Sequence, residues 1–143
     1  MEKIALGSDH GGFALKEHVK TVLADAGCAV TDVGCRSLEA VDYPDIALAL
    51  LQTLASGACQ RGILICGTGI GMSIAANRDR RFRAALCHDE YTARMSREHN
   101  NADILCLGAR VVGAGVVEGI VRTWLATAFA GGRHQTRIDK MGG

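Results

Sequence analysis

Short, nearly unbroken apolar runs alternate with stretches where apolar residues recur every three or four positions. The runs predict strands over Lys3–Ser8, Ala29–Val33, Ile63–Ile65 ending on Cys66, Arg83–Cys87 and Asp103–Leu107. The periodic stretches predict helices. The first spans about Phe13–Ala26, with Phe13, Leu15, Val19, Val22 and Leu23 as its apolar stripe, and Gly27 stops it. A second is capped by Asp45 and runs to about Ser56. A short small-residue helix begins near Gly71 and ends near Asn77, and two more cover about Glu90–Arg97 and Val116–Phe129. The closing segment, Gly131-Gly-Arg-His-Gln-Thr-Arg137, is basic. It reads as a solvated tail, or as a segment that the Gly131-Gly132 hinge folds onto something. Strand and helix alternate throughout, and strands of continuous apolar residues belong to a parallel sheet covered on both faces. One doubly wound α/β domain over 1–143, with a five-stranded parallel sheet, is the expectation.

Composition narrows the function classes. With 48% hydrophobic and 22% charged residues, the 143-residue chain has material for one core. A formal net charge of +1 and only 4% aromatics give no footing for nucleic acid, either by charge or by base stacking. No apolar run approaches a membrane span, and the amino terminus reads directly as a strand rather than a targeting segment. The six cysteines (Cys28, Cys35, Cys59, Cys66, Cys87, Cys106) lack C-x-x-C spacing, so neither zinc nor a disulfide framework is expected. A reducing, cytoplasmic setting follows. No cofactor is expected.

In an open parallel sheet, ligands bind beyond the carboxyl ends of the strands. Asp9 and His10 follow the first strand, Asp42 and Tyr43 lie after the second, Cys66 ends the third, His88 and Asp89 follow the fourth, and Arg110 follows the fifth. The organising stretch is Cys66-Gly-Thr-Gly-Ile-Gly71. Its three glycines let backbone N–H groups approach an anion, and the following helix adds its positive end. Cys66 at the mouth of that turn feels a field that favours thiolate. The turn is neither G-x-G-x-x-G nor a P-loop, so a nucleotide site is the weaker reading. Structural roles compete at several positions. Asp9 can cap the first helix, His88 and Asp89 read as a cap of the fourth, and His99 with Asn100 can end a helix.

Seven blocks carry a resemblance: Gly7-Ser-Asp-His-Gly-Gly-Phe13, Asp42-Tyr-Pro44, Gly62-Ile-Leu-Ile-Cys-Gly-Thr-Gly-Ile-Gly71, Ala75-Ala-Asn77, Ser96-Arg-Glu-His-Asn100, Gly108-Ala-Arg-Val-Val112 and Gly131-Gly-Arg-His-Gln-Thr-Arg137. Over essentially its whole length the chain resembles the type B ribose 5-phosphate isomerases, a family that includes the galactose-6-phosphate isomerase subunits. The resemblance implies a Rossmann-like, three-layer fold. It also implies a homodimer or dimer of dimers with active sites shared between subunits, residues from about 131 onward packing at that boundary. It implies that Cys66 moves the proton between C1 and C2, that Thr68 and the turn amides stabilise the developing oxyanion, and that His99, from the neighbouring subunit, opens the sugar ring. Asp9, His10, Tyr43, Gly67, Gly69, Ile70, Gly71, Asn100, Arg110, Arg133 and Arg137 match substrate-contact positions. Some relatives carry a glutamate where this chain has Met72, so the cysteine branch fits; Ser8 stands where many relatives have cysteine. The complete Gly-Gly-Arg-His-x-x-Arg ending favours a pentose phosphate, with a six-carbon phosphate (allose or galactose 6-phosphate) as the alternative. A non-catalytic sugar-phosphate or nucleotide-binding module is the remaining reading.

Overall fold

The computed structural model describes residues 1–142. Strand β1 (Lys3–Ser8) passes through one 3-10 turn (His10–Gly12) into helix α1 (Phe13–Asp25). Then come β2 (Ala29–Gly34), α2 (Tyr43–Ala55), β3 (Arg61–Cys66), α3 (Ile70–Ala76), β4 (Ala84–Leu86), α4 (Glu90–Glu98), β5 (Ile104–Gly108), α5 (Ala114–Ala126) and α6 (Arg133–Lys140). The strands form one parallel sheet in the order β2-β1-β3-β5-β4. Leu6 lies opposite Ile63, and Leu64 opposite Cys106. No helix among the described residues is long and apolar enough to cross a membrane.

The apolar runs divide by parity, as strand geometry requires. Ile4, Leu6, Ile63, Ile65, Leu105 and Leu107 face one layer, where α1, α4 and α5 contribute Val19, Leu23, Ala93, Val117, Ile120 and Trp124. Ala5, Leu64, Cys66, Ile104 and Cys106 face the other, against Ala47, Leu50 and Leu54 of α2 and Met72 and Ala76 of α3. From β1 the chain winds outward to β2 and then back across to β3. The switch point of the sheet therefore lies between the carboxyl ends of β1 and β3.

Several expectations shift in detail. Helix α2 starts at Tyr43, with Asp42 at the N-cap position and Pro44 in the first turn, where its fixed φ suits a helix start. Asp45 is consequently inside that turn and is not the cap. Strand β4 is three residues long, because the Arg83 N–H is drawn to the Asp103 carboxylate at 3.2 Å. On its outer edge the Asn77 side chain pairs with both backbone groups of Ala84, each at 2.9 Å, and blunts an otherwise open strand. Helix α5 begins at Ala114 and leaves helical geometry at Thr127, short of Phe129. The basic closing segment is not a solvated tail. Gly131 and Gly132 take positive φ, and α6 folds back to bury His134 and Ile138.

The α1 stripe hides a charge. Lys16 is completely buried, its ammonium donating to both Asp32 carboxylate oxygens (2.8 and 2.7 Å) and to the Cys35 carbonyl (2.6 Å). Burial alone disfavours ionised Asp32, but Lys16, Lys20 and the Gly34 N–H together hold its carboxyl below the usual range. An aspartate depressed in the folded state contributes stability above the unfolded value near pH 4, and that contribution is lost as pH falls through the folded one. Lys16→Met is expected to cost about 3 kcal/mol, the low end for breaking a buried pair, because Asp32 is partly solvated and keeps Lys20. Urea unfolding at pH 7 and pH 3 checks this, with the gap between variant and wild type narrowing in acid.

Candidate active site

The carboxyl ends of β1, β3 and β5 converge on the glycine turn. The Asp9 N–H donates to the Ile65 carbonyl (3.1 Å), joining the end of β1 to β3, and the Asp9 carboxylate accepts from Gly12 N–H at 3.1 Å. Asp9 thus caps the 3-10 turn that leads into α1, not α1 itself, and does so with one carboxylate oxygen, leaving the other for a ligand. His10 is exposed beside it, and the Val41 N–H donates to its Nδ1 (3.2 Å). A neutral ring then carries its proton on Nε2 and presents a donor to the crevice.

From the other side, the loop after β5 clamps the turn. The Ala109 N–H reaches the Cys66 carbonyl at 2.8 Å, and the Arg110 N–H reaches the Gly67 carbonyl at 3.0 Å. The Arg110 side chain is exposed and runs past Gly67. This close approach depends on Gly108, where a Cβ would lie 2.5 Å from the Thr68 carbonyl oxygen. Gly69 adopts φ +79°, and a Cβ there would meet Leu86 Cδ1 at 2.5 Å and the Leu107 backbone at 2.9 Å. Its conformation turns the Gly69 N–H onto Cys66 Sγ, at 3.1 Å. The sulfur is only 6% exposed at the level of the residue, so that amide acts on it with little competition from water. Thr68 is exposed, its Oγ1 accepting from Ile70 N–H at 3.2 Å, which leaves the hydroxyl proton for a second partner. Ile70 opens α3 and is half exposed, and the Tyr43 ring at the start of α2 lies against Gly71. Asp89 accepts from Thr92 N–H at 2.7 Å and caps α4, so this residue serves structure.

The remaining candidates are elsewhere. His99 ends α4, and Asn100 follows it, its carbonyl accepting from Arg83 Nε at 2.9 Å. Both precede β5 and lie at the amino end of the sheet. Strands of five and six residues put roughly 17–20 Å between the two ends. Arg133 and Arg137 of α6 join this second group, exposed on a helix whose His134 ring stacks on His99. The candidate residues of one chain therefore fall into two groups at opposite ends of the sheet. Cys66, Thr68, Asp9, His10, Tyr43, Arg110 and the glycine turn form one; His99, Asn100, Arg133 and Arg137 form the other. Nothing in the sequence assigns a role to Gly108 or Lys16, and His134 reads there only as part of the basic closing segment. Only the juxtaposition of Thr68 with β5, and of α6 with α4, reveals the first and last.

Beside the glycine turn, a cavity of about 700 Å³ runs between α2 and α3, lined by Tyr43, Leu48, Gly71, Ile74 and Arg78 among others. Leu48 and Ile74, which line it, and Ile70 at the start of α3 are each more than half exposed.

A family model described as Ribose/Galactose Isomerase matches residues 4–141. The chain is 45% identical to ribose-5-phosphate isomerase B of Escherichia coli, over 97% of this chain and 93% of that protein. It is 42% identical to a D-erythrulose-4-phosphate isomerase of Pectobacterium atrosepticum, over 99% of this chain and 94% of that protein. Among solved structures, ribose-5-phosphate isomerase B of Clostridium thermocellum superposes with a TM-score of 0.95 at 54% identity, covering 98% of this chain and 95% of that one.

Proposed function

The chain belongs to the ribose/galactose isomerase family, and on that premise we propose how its residues interconvert D-ribose 5-phosphate and D-ribulose 5-phosphate through a cis-enediol(ate). The observation that carries the reading is Cys66 Sγ at the switch point of the sheet, with the Gly69 amide aimed at it and Asp9, His10 and Arg110 around it. The Cys66 thiolate takes the proton from C2 of the open-chain aldose and returns it to C1, while the O2 proton passes to O1. As C2 loses its proton, negative charge grows on the former carbonyl oxygen. The Thr68 hydroxyl and the amides of the Gly67–Gly71 turn are the donors nearest that charge. Each such donor contributes about 2.7–4 kcal/mol to the transition state.

A pentose 5-phosphate arrives as a closed furanose, so a ring-opening acid–base is needed before the thiolate has a substrate. His99 fills that role from a second copy of the chain, because its own chain holds it at the far end of the sheet from Cys66. A two-fold dimer that sets the His99 end of one subunit against the Cys66 end of the other makes two identical sites, as isologous pairing requires. The exposed Leu48, Ile70 and Ile74 beside the turn supply apolar surface for such a contact. Arg133 and Arg137 of the partner, with His10 Nε2, grip the phosphate by charge-assisted hydrogen bonds. Asn100, Tyr43, Ile70 and the turn backbone line the sugar between these ends. Binding energy from the remote phosphate then orients the reacting carbons. Six unpaired cysteines suit a reducing, cytoplasmic setting.

A coupled assay that follows ribulose 5-phosphate formation tests the reading directly. Turnover is expected, with kcat/KM higher on ribose 5-phosphate than on allose or galactose 6-phosphate or a four-carbon phosphate. Binding of ribose 5-phosphate without turnover would instead make the chain a sugar-phosphate-binding module. A six- or four-carbon preference would reassign the substrate and leave the chemistry in place.

A further inference from the structure

His134 has no part in the reaction as proposed, yet it is one of four buried polar or charged side chains among the described residues, and its ring touches a reacting group. Its plane lies against the His99 imidazole at a centroid separation of 4.2 Å and an interplanar angle of 14°. His99 terminates α4, where a side chain is least constrained by its own helix. Two elements meet here only because the glycine pair at 131–132 turns α6 back onto α4, a path fixed by the Ala130 N–H on the Glu98 carbonyl at 3.0 Å. Ile138, one turn further along α6, is buried and anchors the same face.

We propose that His134 is the positioning residue for His99: by stacking flat on it, it fixes the plane of the ring that opens the sugar. The inference rests on the ring-opening role given to His99 above. An imidazole that must trade protons with both a ring oxygen and an anomeric hydroxyl needs its nitrogens held in the plane of those atoms, and a face-on neighbour restrains that plane without occupying either nitrogen. Aromatic faces suit the task, since offset stacking is favourable and consumes no hydrogen-bonding group. The charges around the pair agree. Burial first, and then His99, Arg133 and Arg137, hold the His134 imidazole below its ordinary protonation range, with Glu98 opposing. At neutral pH the stacking ring is therefore uncharged and does not repel a protonated His99.

The sign of the pH dependence follows. A histidine whose protonation is suppressed by folding takes up protons more readily in the unfolded chain. Its stabilising contribution is present above the unfolded value, about pH 6.5, and is lost as pH falls below it.

The test compares His134→Phe, which keeps a flat ring, with His134→Leu, which keeps bulk and loses it. His134→Leu is expected to lower kcat on cyclic ribose 5-phosphate by roughly tenfold to a hundredfold. On open-chain ribulose 5-phosphate it should lose far less, and His134→Phe should restore the cyclic direction. Unfolding of the Phe variant should also lose the acid dependence that His134 confers. Should the Leu variant not fold, ring-current shifts of the His99 imidazole protons in the wild type decide the matter. They are expected upfield, retained in His134→Phe, and their absence in the folded wild type overturns the stack. Equal losses in both directions, or a KM increase alone, would overturn the positioning role by placing His134 at the bound phosphate. Absence of isomerase turnover in the wild type is a separate outcome: it removes the ring-opening premise and leaves the ring-current result standing.

Discussion

Cys66→Ala is expected to abolish turnover, with kcat falling by roughly 10²–10⁴-fold or more, while the dissociation constant for ribose 5-phosphate stays within a fewfold of wild type. The split follows from where the binding groups are. In the proposed reaction, phosphate affinity comes from Arg133, Arg137 and His10, and the sugar touches backbone amides that alanine leaves in place. The proton, by contrast, has one carrier at the turn. The substitution removes a sulfur that accepts a single hydrogen bond from Gly69, so the fold should lose only about 1 kcal/mol and melt close to wild type. Calorimetric titration beside the coupled assay makes the comparison. A variant retaining near wild-type kcat would sink the assignment of the base, and one that no longer bound sugar phosphate would show that Cys66 shapes the pocket instead. Cys66→Ser is a sharper version: it restores an atom that can accept from Gly69 but replaces the thiol with a far weaker acid, so activity should stay low.

The central strands were legible because β1, β3 and β5 are runs of apolar residues buried on both faces. The alternation of a strand is enough to separate Ile63 and Ile65 from Leu64 and Cys66, as the two layers show. Residues at the carboxyl edge were legible for the same reason: Asp9, His10, Cys66 and Arg110 each follow a recognisable strand. Helix α6 was not. It is short and basic, and it buries only His134 and Ile138, two positions four apart, which is too sparse a stripe to distinguish from a charged tail. Lys16 was missed because a lysine on a helix is normally solvated, and only the approach of Asp32 from β2 makes its burial tolerable. Asp45 resembles a cap because it precedes the apolar run, whereas Pro44 starts the helix earlier. The division of the site into two ends was available in principle. His99 follows a helix and precedes a strand, and in a parallel α/β sheet such a residue lies at the amino edge, away from any group that follows a strand. Composition and spacing say nothing of which copy of the chain then completes the site.

That separation makes the shared site testable by mixing two inactive proteins. Cys66→Ala lacks the proton carrier in both of its sites. His99→Ala keeps the carrier and should lose turnover on the closed sugar, while keeping more of it on the open-chain ketose. If each site takes Cys66 from one subunit and His99 from the other, a heterodimer of the two variants holds one site with both lesions and one with neither. Random reassociation of equal amounts gives half heterodimers with one intact site each, so ribose 5-phosphate turnover should recover to about a quarter of the wild-type value per subunit. If each chain instead supplied both residues to its own site, every site in the mixture would carry one lesion, and activity would stay at the level of the parents. The recovered activity should grow at the rate of subunit exchange and disappear when exchange is blocked before mixing. The same mixing with Arg133→Ala and Arg137→Ala in place of His99→Ala assigns the phosphate grip. Because α6 travels with α4 through the His134 stack, these arginines should complement Cys66→Ala as His99→Ala does. Failure of the arginine variants alone would mean that α6 serves its own chain's site, and would separate the phosphate end of the pocket from the ring-opening end.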